Sequence, residues 1–229
     1  MREIIESNQN IPYQLLKKPN RIFSSGDKKE AGRNIVSFAE AEEILGPYFI
    51  NPHKIGDNFS YPRNQLGRFH QEMPSRKMIQ SLQKSDSILV PGPPAGLTTH
   101  GVISLFKNIF DGMSHYHLSS SEFKNLSHIH TGWLILNKNP LRNSQNKTWR
   151  QQSSIVNSDK YIPELGKLIW SLNLYWLING YKLFNNKSLR TSTVNKYGER
   201  VIISGQVPKV KFTDNSVDND LIVVVGTRY

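Results

Sequence analysis

The sequence predicts an α+β protein with helices in the N-terminal two-thirds, a buried central helix and a C-terminal antiparallel sheet. Three observations carry that expectation. The stretch Ile162–Phe184 places Leu165, Leu168, Ile169, Leu172 and Trp176 on one helical face and Trp170, Leu174, Leu177 and Ile178 on the other. A helix apolar nearly all round is a buried one. Upstream, short apolar-periodic stretches follow capping patterns such as Ser37-Phe-Ala-Glu40. Downstream of Lys187, apolar and β-branched runs alternate with turn signals and show no helical period. A single domain over 1–229 is expected, with a loosely organised arm at 1–34.

Within the central stretch, Pro163 fits the first helical position, where its missing N–H costs nothing. Glu164 suits the positive end of the helix dipole, Gly180 is a C-terminal stop, and Lys182 favours the last carbonyls. The rival reading is a membrane span. The uncharged run from Leu168 to Tyr181 is shorter than the roughly 20 residues a bilayer needs, and Ser171, Asn173 and Asn179 interrupt it. No membrane association is expected.

The remaining elements follow in chain order. Ile11–Leu16 reads as a short extended piece and 24–33 as a charged loop. A helix over Phe38–Leu45 ends at Gly46-Pro47. Tyr48–Gln71 is rich in Pro, Gly, Asn and aromatics, which predicts mostly loop with short extended pieces. A second helix runs from Pro74 through Gln83 with Met78, Ile79 and Leu82 facing inward. Ser87–Val90 is a strand, Pro91–Thr99 a stiff turn, and Thr98 or Thr99 caps a helix bearing Val102, Ile103, Phe106, Ile109 and Phe110. Strand, Gly/Pro loop and helix is a layout in which anions bind, but no Gly-Lys-Ser/Thr follows these glycines as a phosphate loop requires. Ser119–Glu122 opens a short helical turn. Thr131–Lys138 is a strand, 139–147 a polar loop, and Thr148 caps a helix through Ile155. The tail is read as strands at Lys187–Val194, Glu199–Gly205, Val207–Thr213 and Leu221–Thr227. The last run lacks alternation and is expected to be an interior strand.

The chain has no cysteine, which excludes disulfides, thiolate metal ligands and a cysteine nucleophile. Met1–Asn10 carries Arg2, Glu3 and Glu6 in place of an apolar signal segment, so a cytoplasmic location is expected. The net charge of +11 is segregated. Residues 123–211 carry 14 lysines and arginines against three acids, whereas residues 1–122 carry 14 against 12. Such concentration attracts nucleic acid, another polyanion or an acidic protein partner.

The order Gly132-Trp-Leu-Ile-Leu-Asn-Lys-Asn-Pro140, Asn143–Gln152, Leu183–Ser192 and Gly198–Gly205 resembles a family of bacterial proteins defined as a domain of unknown function. The resemblance covers residues 85–229. It implies a bacterial or mobile-element origin, and it brings no chemistry and no residue roles.

Three functions follow from the residues themselves. The leading expectation is binding of nucleic acid or another polyanion through the 138–211 face, with Lys138, Arg142, Lys147, Trp149, Arg150, Arg190, Lys196 and Arg200 as the nucleic-acid contacts, cations for phosphates with an aromatic for stacking. Of the other interleaved aromatics, Trp133 and Phe212 are assigned to the core. The second is a metal-dependent enzyme. His115 and His117, and His128 and His130, each have the i, i+2 spacing that puts two imidazoles on one side of a strand, where they could converge on zinc. The third is an interaction module for an acidic protein. No Gly-x-Ser-x-Gly elbow occurs, and the basic segment's acids are only Asp159, Glu164 and Glu199.

Overall fold

The computed structural model describes residues 35–59, 61–106, 129–184, 187–194, 198–204, 207–212 and 221–227. The arm at 1–34 and the helical turn expected at Ser119–Glu122 lie outside these residues. What is described is an α+β arrangement of helices over two sheets.

α1 (Phe38–Leu45) begins where expected, with the Ser37 hydroxyl accepting from the Glu40 N–H at 3.2 Å. A 3-10 turn over Gly46–Tyr48 follows. The loop expected over Tyr48–Gln71 is instead mostly helical: α2 (Pro52–Phe59) and α3 (Arg63–Gln71). Asn51 caps α2, its Oδ1 accepting from the His53 N–H at 3.0 Å, and Pro52 supplies a φ suited to a first turn. The period of α3 was hidden because one of its two buried positions is polar. Gln65 and Phe69 point inward, and Gln65 donates to the Pro93 carbonyl at 2.8 Å and accepts from the Ala95 N–H at 2.9 Å. α4 (Arg76–Lys84) is capped by Ser75 and buries Ile79 and Leu82, with Met78 half-buried.

The first sheet has the order β1-β2-β8-β3. β1 (Ser87–Pro91) pairs antiparallel with β2 (Trp133–Asn137), in register Ser87 to Asn137 and Pro91 to Trp133. Between them α5 (Thr99–Leu105) starts at Thr98, whose hydroxyl accepts from the Gly101 N–H. α6 (Trp149–Ser154) and the two-residue β3 (Lys160–Tyr161) precede the central helix. The second sheet has the order β6-β5-β4-β7, with β4 (Ser188–Val194), β5 (Arg200–Ser204) and β6 (Val207–Phe212) antiparallel.

The segment Leu221–Thr227 is not one strand. β7 (Leu221–Ile222) runs parallel to β4, Val223–Val225 cross over, and β8 (Gly226–Thr227) enters the first sheet between β2 and β3. Its lack of alternation reflects burial of every residue from Leu221 to Gly226 as the chain passes from one sheet to the other. The crossing backbone stays satisfied: the Val223 carbonyl accepts from Leu141 N–H at 2.8 Å and the Val225 carbonyl from Asn137 N–H at 3.0 Å.

α7 (Leu165–Asn179) is the expected central helix, buried continuously from Leu165 to Tyr175 except for Lys167. Its start differs by two positions, the first helical residue being Leu165 and not Pro163. Pro163 lies outside, Glu164 is the N-cap with extended backbone, and no side chain of its own caps the helix. Instead the Leu165 N–H donates to the Thr193 hydroxyl of β4 at 2.9 Å. Trp170, fully buried, donates from Nε1 to the Pro91 carbonyl at the end of β1, at 2.7 Å. Gly180 closes the helix with φ +75°, a left-handed conformation that favours glycine. One continuous apolar core runs from Val36 to Val224 and takes residues from both sheets and from α7.

Where α7 meets α5 the approach is close. A Cβ on Gly166 would stand 2.5 Å from the Thr99 hydroxyl and 2.6 Å from Ile129 Cδ1, both on buried residues. Gly166→Ala is expected to lower stability by about 1–3 kcal/mol, the usual cost of overpacking, despite alanine's better helix propensity. Urea unfolding checks this. A midpoint equal to or above wild type would mean that α5 and α7 can separate at no cost.

Candidate nucleic-acid interface

The loop before α6 and the helix itself hold four of the expected contact residues within nine positions. Thr148 makes a reciprocal capping box with Gln151: its hydroxyl accepts from Gln151 N–H at 3.4 Å and its N–H donates to Gln151 Oε1 at 2.9 Å. That fixes the start of α6. Its inward residue is Gln152, fully buried, which donates to the Ser144 carbonyl at 2.7 Å and to the Leu221 carbonyl at 3.3 Å. The outward residues are the basic ones. Arg142 and Arg150 are exposed, and Lys147 and Trp149 are half-buried.

Arg200, the first residue of β5, completes the group from a distant part of the chain. Its guanidinium carbon lies 3.9 Å from the centroid of the Trp149 ring, within the range of a cation–π contact. Its Nη1 donates to the Ser192 carbonyl on β4, so the guanidinium is anchored to the sheet while covering the indole. The candidate surface therefore comprises Arg142, Lys147, Trp149, Arg150 and Arg200. The Trp149–Arg200 contact was not legible in the sequence, since 51 positions separate the two residues and nothing local links them.

The other expected residues stand differently. Arg190 is a correction: it is completely buried, and its Nη1 donates to Gln152 Oε1 at 2.8 Å and to the Lys147 carbonyl at 3.4 Å. It holds the loop and α6 against β4 from beneath and cannot reach a phosphate. Its strand, Ser188-Leu-Arg-Thr-Ser-Thr-Val, buries Leu189, Arg190 and Thr191 in succession, so a cation read as a surface group from composition lies inside. Lys138 is engaged by Asp86 at 2.9 Å and lies 3.6 Å over the Tyr48 ring, with a side chain 17% exposed. Partial burial works against its charge, but the hydrogen bonds to Asp86 and Tyr48 outweigh that and raise it above an ordinary lysine. Lys196 lies outside the described residues. Trp133 is in the core as expected, where its Nε1 donates to the Phe69 carbonyl at 3.1 Å.

The metal-site expectation meets the same boundary. His115, His117 and His128 lie outside the described residues. His130 is exposed as a residue, yet its imidazole rests against the backbone of Gly132: a Cβ there would sit 2.7 Å from His130 Nε2 and 3.4 Å from Glu72 Oε2. Among the described residues no group of three or more His, Cys, Asp or Glu is arranged to hold a metal ion. A histidine pair that the sequence did not suggest, His53 and His70, does meet, with Nε2 atoms 3.1 Å apart.

In the Gly/Pro loop after β1, Pro93 and Pro94 carry no N–H, and the N–H groups of Gly92 and Leu97 donate to the carbonyls of Gly132 and Pro94. The Tyr61 hydroxyl donates to the Gly92 carbonyl at 2.5 Å, and Gln65 takes the Ala95 N–H. That leaves little of an anion cradle. Among the described residues no helix is long and apolar enough to cross a membrane.

Comparison with family models, curated proteins and solved structures gives no match for the chain. The residues above are therefore read on their own geometry.

His130 offers a pH test. Desolvation by its surroundings, then the charges of Lys167 and Arg68, lower its pKa from 6.5, and Glu72 only partly opposes them. A histidine with a depressed folded-state pKa contributes stability that is present above pH 6.5 and is lost as the pH falls toward the folded value. The NMR titration of His130 is expected to have its midpoint below 6.5, and His130→Gln should flatten the stability profile across that interval. A midpoint above 6.5 would show that Glu72 dominates.

Proposed function

We propose that this protein binds single-stranded nucleic acid through the surface made by Arg142, Lys147, Trp149, Arg150 and Arg200. The observation that carries the reading is the Arg200 guanidinium laid over the Trp149 ring, with Lys147 and Arg150 flanking the indole in the chain. Cations that track a phosphate backbone beside an aromatic on which bases stack are the two parts of sequence-tolerant single-strand binding. The pair also suits each part to its role. The guanidinium covers one side of the indole and keeps its charge near where a phosphate would pass, and the half-buried ring is held in orientation by the capped helix. Arg190 and Gln152 serve beneath as positioning residues, tying α6 to the sheet.

The charge segregation supports the same reading, because the segment holding these residues is where the chain concentrates its cations. A cytoplasmic setting, where single-stranded nucleic acid is abundant, is the expected context for this cysteine-free chain. Other polyanions and acidic proteins are outcomes the same experiment distinguishes.

Fluorescence anisotropy with a labelled oligothymidine, over a series of salt concentrations, tests the proposal. With four cations neutralising phosphates, the slope of log Kobs against log salt is expected near −3, at about −0.7 per contact. Trp149→Ala should weaken binding by about 1–3 kcal/mol, the usual worth of one stacked base. Lys77→Ala, on the exposed side of α4, should change nothing. A salt-independent affinity, or equal affinity for Trp149→Ala and wild type, would refute the interface. Equal binding of heparin with no loss in Trp149→Ala would reduce it to a general polyanion surface.

A further inference from the structure

We propose that His53 and His70 form a binding site for a borderline divalent metal ion, of the zinc, nickel or copper class, at the junction of α2 and α3. His53 is the second residue of α2 and His70 the second-last of α3, so the two imidazoles come from different helices. Their Nε2 atoms face each other at 3.1 Å. Both rings rest on Phe38 of α1. His70 stacks on it at 3.8 Å between centroids with 15° between planes, and His53 lies at 5.5 Å and 57°. Phe38 is itself buried, so the platform that orients the two nitrogens belongs to the core. The backbone N–H of His53 is held by the capping Asn51 at 3.0 Å, and Asn51 in turn donates to Glu42 at 3.2 Å.

Two ring nitrogens pointing at one another at this distance have two ways to coexist. One proton can lie between them, or a cation can accept both lone pairs. With metal–nitrogen bonds of about 2.0–2.1 Å and a tetrahedral angle, the two nitrogens stand about 3.3–3.4 Å apart. The pair needs to open by only about 0.2–0.3 Å to reach that geometry, within the ordinary freedom of exposed side chains. Both histidines are exposed, so water can fill the remaining positions. An imidazole-only donor set favours zinc, nickel and copper over magnesium and calcium, which prefer oxygen. The two imidazoles are the ligands on which the site is argued, with water at the other positions.

A metal so placed joins two helices that the sequence separates with the Tyr61-Pro62 break. Its binding to the folded chain alone raises stability by linkage. At zinc ten times above its Kd, the Tm is expected to rise by about 3–6 °C for a chain of this size.

The test is calorimetric titration of zinc chloride into the full chain after chelator treatment, paired with thermal unfolding. Wild type, His53→Gln, His70→Gln, the double variant and His130→Gln are compared. The site predicts saturable binding whose heat and Tm rise are lost in each single variant at His53 or His70 and retained in His130→Gln. Both substituted positions are solvent-facing, so the metal-free variants should unfold within a few degrees of wild type, which circular dichroism verifies. Absence of saturable binding overturns the proposal and leaves the pair sharing a proton. Undiminished binding in the double variant overturns it too, and places the ion elsewhere in the chain.

Discussion

The structure depends on enclosing α7. From Leu165 to Tyr175 every residue but Lys167 is buried, so polar groups there have little access to water, and three polar groups of α7 are paired with the rest of the protein. The partners come from other elements and thereby fix them. The first N–H is taken by Thr193 of β4, the Trp170 indole N–H by the end of β1, and the Asn179 amide by the Pro47 carbonyl. One apolar rod thus specifies, through a few hydrogen bonds, where two sheets and the 3-10 turn must sit.

The same economy operates under the proposed interface. Arg190 is basic by composition and internal by position, and with Gln152, Ser144 and the carbonyls of Lys147 and Leu221 it forms a polar layer that holds α6 against the second sheet. Arg190 is thus withdrawn from the surface, while Arg142, Lys147 and Arg150 stay outward along the loop and the capped helix, and Arg200 at the start of β5 joins them through its contact with Trp149. That spacing is set from below by the buried layer, which gives the exposed side chains a rigid base.

Much of this was legible in the residues. α1 and α6 are legible from their capping side chains, because Ser37 and Thr148 are local signals read in a window of four, and α4 from the spacing of Met78, Ile79 and Leu82. α7 was found from its apolar circumference, and the β4–β5 hairpin from turn residues between β-branched runs. What escaped notice was settled by contacts remote in sequence. α2 and α3 look like loop because proline, glycine and asparagine recur through Tyr48–Gln71 and because Gln65 occupies a core position. The division of Leu221–Thr227 between two sheets is invisible in a run of valines that reads the same whichever sheet it joins. Of the candidate site, the basic loop and Trp149 were evident, but the stacking of Arg200 on Trp149 and the meeting of His53 with His70 required the fold to bring them together.

The crossing segment has a consequence for synthesis on the ribosome. β1 through β6 are all made before residue 221 exists, yet the first sheet lacks the strand that joins β2 to β3, and the second lacks its parallel edge, until residues 221–227 have emerged. The nascent chain therefore holds two unfinished sheets at once, each with an open strand edge, and one short apolar run closes both together. Chaperone capture would be most useful in that interval, and a ribosome stalled just short of this segment would leave exposed the surfaces most prone to self-association.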